Sequence, residues 1–269
     1  MKKRLKRFVP KFLRGPFFEG LRYRSDMIPP KSMSFVGKGD FVKIGRKFRR
    51  HFIDLAGLRP EHRVLDVGCG IGRMAIPLTE YLSPAGGYWG FDIVRQGTDW
   101  CSARITPKFP NFHFQHSDVY NKHYNPDGQV RACDYRFPFE DDFFDFIFLT
   151  SVFTHMVPAD LENYLREIAR VLKPGGKCLI TFLLRNEESA GLIRDGKSDL
   201  DFVHEMDGYF TTKPADPEAA IAYDEQIALQ FFDRCGLTVE PPVRYGSWCG
   251  RKKHLSYQDI VVASKGKTA

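Results

Sequence analysis

Ten consecutive residues, Val64-Leu65-Asp66-Val67-Gly68-Cys69-Gly70-Ile71-Gly72-Arg73, concentrate the chemistry of this chain. They read as a short buried strand, a glycine-rich turn and the start of a helix. Glycines at alternate positions let the backbone turn sharply and approach a ligand, because no Cβ intervenes. The helix that follows offers unpaired N–H groups and the positive end of its dipole. Together these parts form a nucleotide-type cofactor site. A dinucleotide site wants G-x-G-x-x-G/A, and here the sixth position holds Arg73, too large for that packing role. Asp66, two residues before Gly68, suits a cationic group better than a pyrophosphate.

Three more side chains stand where α/β sheets place reacting groups, at the carboxyl ends of strands. Asp92 ends a second strand, Tyr88–Phe91, and a carboxylate there can accept two hydroxyl hydrogen bonds from a ribose diol. Asp118 follows a third strand, Phe112–His116. His155 lies just past a fourth, Phe146–Thr150, and its imidazole can take a proton near neutral pH. An ordinary histidine at a helix start would look the same. His113 and His116 fall on opposite faces of their strand, and no metal site is expected.

These residues need a scaffold. The pattern predicts strand one at Arg63–Val67 and helices over 41–57 (Asp40 as N-cap, Gly57 as stop), 73–82 and 98–108. A helix over Pro158–Leu172 comes next, then Lys173-Pro174-Gly175-Gly176 as its stop and strand five at Lys177–Leu183. The segment 120–136, with Tyr120, Tyr124 and His123, reads as a polar and aromatic insertion. A second insertion, 185–217, is rich in charge and glycine and precedes a helix over 218–235. Leu237–Val243 and Gln258–Ala263 supply strands six and seven.

The stretch 64–73, the acids Asp92 and Asp118 in order, and Leu172-Lys173-Pro174-Gly175-Gly176 before an apolar strand resemble class I (Rossmann-like) S-adenosylmethionine-dependent methyltransferases over roughly residues 40–265. The resemblance implies an α/β fold: a seven-stranded, mostly parallel sheet in order 3-2-1-4-5-7-6, one strand antiparallel, with helices on both faces. It implies S-adenosylmethionine as cofactor, contacted by Asp66, Gly68, Cys69, Gly70, Asp92, Ile93, Ser117, Asp118, Val119 and Thr150, with Asp118 receiving the adenine amino group. It also implies that the leading helix, with Phe35 to Asp40, closes over the cofactor. Strand four ends in Thr150-Ser151-Val152-Phe153-Thr154-His155-Met156, which lacks both nucleobase signatures of such enzymes, Asn/Asp-Pro-Pro-aromatic and Pro-Cys. The Tyr/Asn/His loop within 120–136 and the basic tail motivate the expectation of O-methylation of a small hydroxylated acceptor, a glycan, lipid-linked sugar or other metabolite, with His155 as base. Acceptor contacts are expected from Tyr124, His204, Glu205, Tyr209 and Trp248, the last within Tyr245–Gly250, with Glu205 or His204 as a rival base. An RNA or protein methyltransferase and a non-catalytic cofactor-binding scaffold are the alternatives.

Composition bounds the rest. The 269 residues are 43% hydrophobic with 24 Phe, ample for a large core in a single domain, 27–269, behind a basic tail, 1–26. Residues 1–24 carry nine Lys/Arg against Glu19 alone, while the remainder balances 31 basic against 32 acidic side chains. Charge alone therefore marks no nucleic-acid surface on the body. The tail, interleaved with Leu5, Phe8, Phe12, Phe17 and Phe18, suits an anionic membrane face or another polyanion. No apolar run approaches the ~20 residues of a membrane span. The six cysteines form no C-x-x-C pair, which points to free thiols in a reducing cytoplasm.

Overall fold

The computed structural model describes residues 26–33, 37 and 39–267; residues 1–25 of the basic tail and Phe35 lie outside the described residues. Helix α1 (Phe41–Ala56) is bounded as its sequence predicts: Asp40 accepts the Lys43 N–H at 2.9 Å, and Gly57, at φ 70°, returns its N–H to Ile53 and Phe52. There follow β1 (Arg63–Val67), α2 (Ala75–Leu78), β2 (Gly87–Asp92), α3 (Arg95–Arg104), β3 (Phe112–His116), β4 (Phe144–Leu149), α4 (Pro158–Val171) and β5 (Leu172–Phe182). The chain then runs through β6 (Leu184–Arg185), α5 (Glu187–Arg194), β7 (His204–Glu205), β8 (Tyr209–Thr211), β9 (Ile221–Asp224), α6 (Glu225–Arg234), β10 (Leu237–Val239) and β11 (Asp259–Lys265).

The main sheet has seven strands in the order β10-β11-β5-β4-β1-β2-β3. β1, β2, β3, β4 and β5 are parallel, and β11 runs antiparallel to both β5 and β10. Taking β11 and β10 as strands seven and six, this is the expected order. Alternate residues of the central strands serve opposite faces. Leu65, Val67, Ile147 and Leu149 join one core with α4 and α6. Val64, Phe146 and Phe148 join the other with α1 and α3, where the Phe52 ring stacks on Phe148 at 4.3 Å. Strands buried on both faces explain why β1 and β4 carry apolar residues on both sides, interrupted only by Asp66 and Asp145 after the opening Arg63.

Several boundaries differ from expectation. α2 spans only Ala75–Leu78 instead of 73–82, and the chain on either side of it is turn. α3 begins at Arg95, earlier than 98, because Asp92 accepts the Val94 N–H at 2.8 Å and turns the chain directly after β2. Lys173–Gly176 does not separate helix from strand. It is absorbed into β5, with Gly175 at φ 77° where the β4–β5 register shifts.

The larger correction concerns residues 185–235. The expected loop contains α5 and the strands of a second, four-stranded sheet, β6-β9-β8-β7. The expected helix over 218–235 starts only at Glu225. Ile221–Asp224 is a strand instead, paired with Tyr209–Thr211 and with Leu184–Arg185. Asp224 then caps α6, accepting the N–H groups of Gln226 and Ile227. All six cysteines are free, and among the described residues no helix is long and apolar enough to cross a membrane.

Candidate active site

The carboxyl ends of β1, β2 and β4 open into a cavity of about 1090 Å³. That is the upper end of the range for a single small-molecule pocket and leaves room for two bound partners. One wall is the turn after β1. Gly68 sits at φ 82° and Gly70 at φ 55°, and a Cβ on Gly68 would lie 2.5 Å from Val152 Cγ2. Only glycine fits that position, on grounds of both conformation and space. The Gly68 and Cys69 N–H groups donate to the Phe91 carbonyl, which locks the turn against β2.

Asp92 closes the same wall. Its Oδ2 accepts the Gly70 N–H at 2.6 Å and its Oδ1 the Val94 N–H at 2.8 Å. Each oxygen keeps a second lone pair, so two further donors can be received. Burial pushes this carboxyl above its usual range, against the opposing pull of the two amide donors. Ile93, Val94 and Val119 supply an apolar strip beside it.

Asp66 lies beneath the turn and is absent from the cavity wall. It is fully buried, its Oδ2 accepts the Tyr88 hydroxyl at 2.6 Å, and its Oδ1 has no hydrogen-bond partner. Burial pushes its pKa up to about 8, with Tyr88 and Arg73 pulling the other way. Ser117 is buried too, its Oγ sharing a 2.7 Å hydrogen bond with the Tyr135 hydroxyl. Asp118 is exposed and outside the cavity wall.

The other half of the cavity is assembled from distant segments. Thr150, Ser151 and Val152 follow β4 and lead into a single 3-10 turn, Phe153–His155. His155 faces the cavity and places its Nδ1 2.9 Å from the Glu218 carbonyl oxygen. A carbonyl can only accept, so Nδ1 carries the hydrogen and Nε2 keeps its lone pair. Burial depresses the His155 pKa and holds the ring neutral. The second sheet fixes this arrangement, because the Tyr223 hydroxyl of β9 donates to the Met156 carbonyl next door. The Tyr124 ring meets His155 edge-on at 5.8 Å.

Four contributors to this half carry no clear sequence signal. Asp160, in the first turn of α4, reads as a helix-dipole partner, yet it lines the cavity and burial pushes its carboxyl up to about 6 with help from Glu218. Glu218 accepts the Asn121 amide at 3.2 Å. Ser151 holds a left-handed backbone, φ 62°, uncommon without glycine. Its N–H donates to Thr181 Oγ1 at 2.8 Å, and both hydroxyls donate to Gln258 Oε1 at 3.0 and 2.6 Å. That orients the Gln258 amide, whose N–H₂ end is then free for the cavity that Gln258 lines.

Tyr124 lines the cavity, but the other expected acceptor contacts do not. Trp248 is fully buried, its ring against Phe202 and its Nε1 donating to Asp259 Oδ2 at 2.8 Å; it is a core residue. Tyr245 donates to Glu225 Oε1 at 2.6 Å. Tyr209 packs against Tyr223 within the second sheet. His204 and Glu205 are exposed on β7, which pairs with β8 alone. Among the described residues no cluster of His, Cys, Asp and Glu could hold a metal ion.

Known proteins share this design. Residues 65–180 match the family described as "Methyltransferase domain". The chain is 35% identical over 151 residues to phthiotriol/phenolphthiotriol dimycocerosates methyltransferase 1 of Mycobacterium ulcerans, covering 56% of this chain and 46% of that one. It is 31% identical over 137 residues to the ubiquinone/menaquinone biosynthesis C-methyltransferase UbiE of Vibrio vulnificus, covering 51% and 47% respectively. It thus spans about half the length of these curated relatives. A crystal structure of a SAM-dependent methyltransferase from Methanosarcina mazei superposes with a TM-score of 0.54 at 20% identity, covering 78% of this chain and 95% of that one. Sheet order, glycine turn and sequence match agree: residues 65–180 match a methyltransferase domain, and the fold is that of solved SAM-dependent methyltransferases.

Proposed function

We propose that this protein transfers a methyl group from S-adenosylmethionine to a hydroxyl of a small acceptor, with His155 as the base. The observation that carries the reading is the neutral His155 ring on the cavity wall, its Nδ1–H tied to the Glu218 carbonyl and its Nε2 lone pair uncommitted. A hydroxyl is a poor nucleophile and needs its proton removed as it reacts, which a neutral imidazole does well near pH 7.

The residues present fit the cofactor. The Gly68 turn leaves no space for a Cβ, and Asp92 keeps acceptor capacity on both oxygens, as a ribose diol requires. We assign Gly68, Cys69, Gly70 and Thr150 to the amino-acid end, and Ile93, Val119 and the Ser117–Asp118 backbone to the adenine side. Asp66 acts from below, as the buried acid under the turn. When bound, S-adenosylmethionine supplies a methyl group on a cationic sulfur that leaves as a neutral thioether. The protein's own share is to align the acceptor, exclude water and receive one proton at His155 Nε2. The Tyr124 ring lies edge-on to His155, and Asn121 and Gln258 line the same cavity, Gln258 with amide donors.

Residues 1–24, with nine basic side chains and one acid, support contact with an anionic membrane or another polyanion. The test begins with isotope-labelled S-adenosylmethionine and fractionated small-molecule and lipid extracts, the product being identified by mass spectrometry. His155→Ala should then lower the transfer rate by about 10²- to 10⁴-fold while affinity for S-adenosylhomocysteine is retained. A variant within about twofold of the parent rate, or a methyl found on carbon, would remove hydroxyl activation by His155 from the mechanism.

A further inference from the structure

Among the described residues, five large apolar side chains are exposed: Tyr120 (46%), Tyr124 (41%), Val203 (60%), Leu255 (37%) and Tyr257 (45%). Their distribution is uneven. Tyr120, Tyr124 and Tyr257 are exposed and also line the cavity, so they stand at its opening. Leu255 is two residues from Tyr257, and Val203 follows Phe202, whose ring packs on Trp248 beneath that loop. Isolated exposed apolar residues need no explanation, but three tyrosines at one opening, with Leu255 two residues from one of them, do.

The loop that bears Leu255 and Tyr257 is firmly held. Arg251 is buried and bonded to Glu188, Asn186 and Asp259. Ser256 turns inward, with the Ser247 and Trp248 N–H groups donating to the Ser256 and Tyr257 carbonyls. The alternation therefore presents Leu255 and Tyr257 outward from a fixed backbone. Lys252 and Lys253 precede them, both exposed, and neither has a carboxylate partner among the described residues. Asp199 and Asp201 are the acids on the neighbouring segment, and Lys122, between Tyr120 and Tyr124 in sequence, is paired with Asp216.

We propose that this rim is a docking face for an anionic bilayer, so that the cavity opens against the membrane. Tyrosine suits the boundary between headgroups and acyl chains, with a polar tip and an apolar body. Leucine supplies burial, and unpaired lysines beside it supply attraction to anionic headgroups. An RNA would use tyrosine and lysine as well, but Leu255 and Val203 have no face on which a base could stack. The inference goes beyond the tail, because it places the body of the protein on the bilayer, and it needs no turnover to be tested.

The experiment uses the full chain bearing Leu255→Trp, with vesicles of phosphatidylglycerol and phosphatidylcholine, with and without brominated acyl chains. The fluorescence in excess of the parent's three tryptophans should shift to the blue and be quenched by the brominated lipid. In the same background, Lys252→Gln with Lys253→Gln should weaken partitioning by about 25-fold, at about fivefold per lysine near an anionic surface. Unchanged affinity for S-adenosylhomocysteine serves as the folding control. Vesicle binding through the tail, with the tryptophan unquenched, would overturn the proposal. So would retention on a polyuridylate column without vesicle binding.

Discussion

A buried carboxyl with one orphaned oxygen is expensive, and Asp66 turns that cost into a measurable slope. Its pKa rises from 3.8 unfolded to about 8 folded, chiefly through burial. Between those values the folded protein holds a proton that the unfolded chain has lost. The Asp66 contribution is therefore fully present below pH 3.8 and declines as pH rises towards 8, by about 1.4 kcal/mol per pH unit. Asp66→Asn keeps the shape and an oxygen for the Tyr88 hydroxyl and removes the titration. Urea unfolding of parent and variant at pH 5, 6 and 7 should show the parent losing about 2.7 kcal/mol relative to the variant across that span. Above pH 8 the variant should be the more stable of the two. All other groups titrate in both proteins and cancel in the difference. Stability curves that stay parallel within about 0.5 kcal/mol would refute the argument, by showing that Asp66 is ionised throughout and that Arg73 fully compensates it.

Gly68→Ala forces a left-handed alanine, costing about 1–2 kcal/mol, and drives a methyl into Val152. Calorimetry with S-adenosylhomocysteine should show at least a tenfold loss of affinity, and adding Val152→Ala should restore part of it. Trp248→Ala should lower stability by about 3–5 kcal/mol in urea titrations, with cofactor affinity unchanged below the transition, as befits a core residue. The acid limb of methyl transfer should fall below pH 6.5, because burial lowers the His155 pKa and the base survives into mildly acidic solution. Asp160, with its carboxyl pushed up to about 6, titrates nearby, so the limb should be read in Asp160→Asn as well.

How legible each part was in the sequence follows from the distance over which it is decided. β1 and β3 fall on their expected residues, and α1 carries its own cap and stop at Asp40 and Gly57. The glycine turn, Asp92 and His155 each adjoin a strand end, so a one-dimensional reading finds them once strands are placed. Ile221–Asp224 reads locally as helix, and only its pairing with Tyr209–Thr211 and Leu184–Arg185, ten residues upstream and more, makes it a strand. Trp248 reads as available among glycines and small residues, but Asp259, at the start of β11, satisfies its indole N–H and permits full burial. Asp160, Glu218 and Gln258 come from three separate segments, and nothing local distinguishes them from surface polar residues.

The same contrast bears on which half of the cavity decides the reaction. The cofactor wall depends on glycine at fixed positions and on one carboxylate, and a change of residue type there removes it. The proposed base depends on backbone. His155 is oriented by the carbonyl of Glu218, which any residue at 218 would supply, and by the path that β9 and the Tyr223–Met156 hydrogen bond impose on residues 217–221. Substituting the Glu218 side chain should therefore leave the tautomer intact, whereas loosening the second sheet should release the ring. On the proposed mechanism, a domain whose cofactor half is set by the glycine turn and Asp92, and whose base is set by the course of a second sheet, would take new acceptors by changing that sheet.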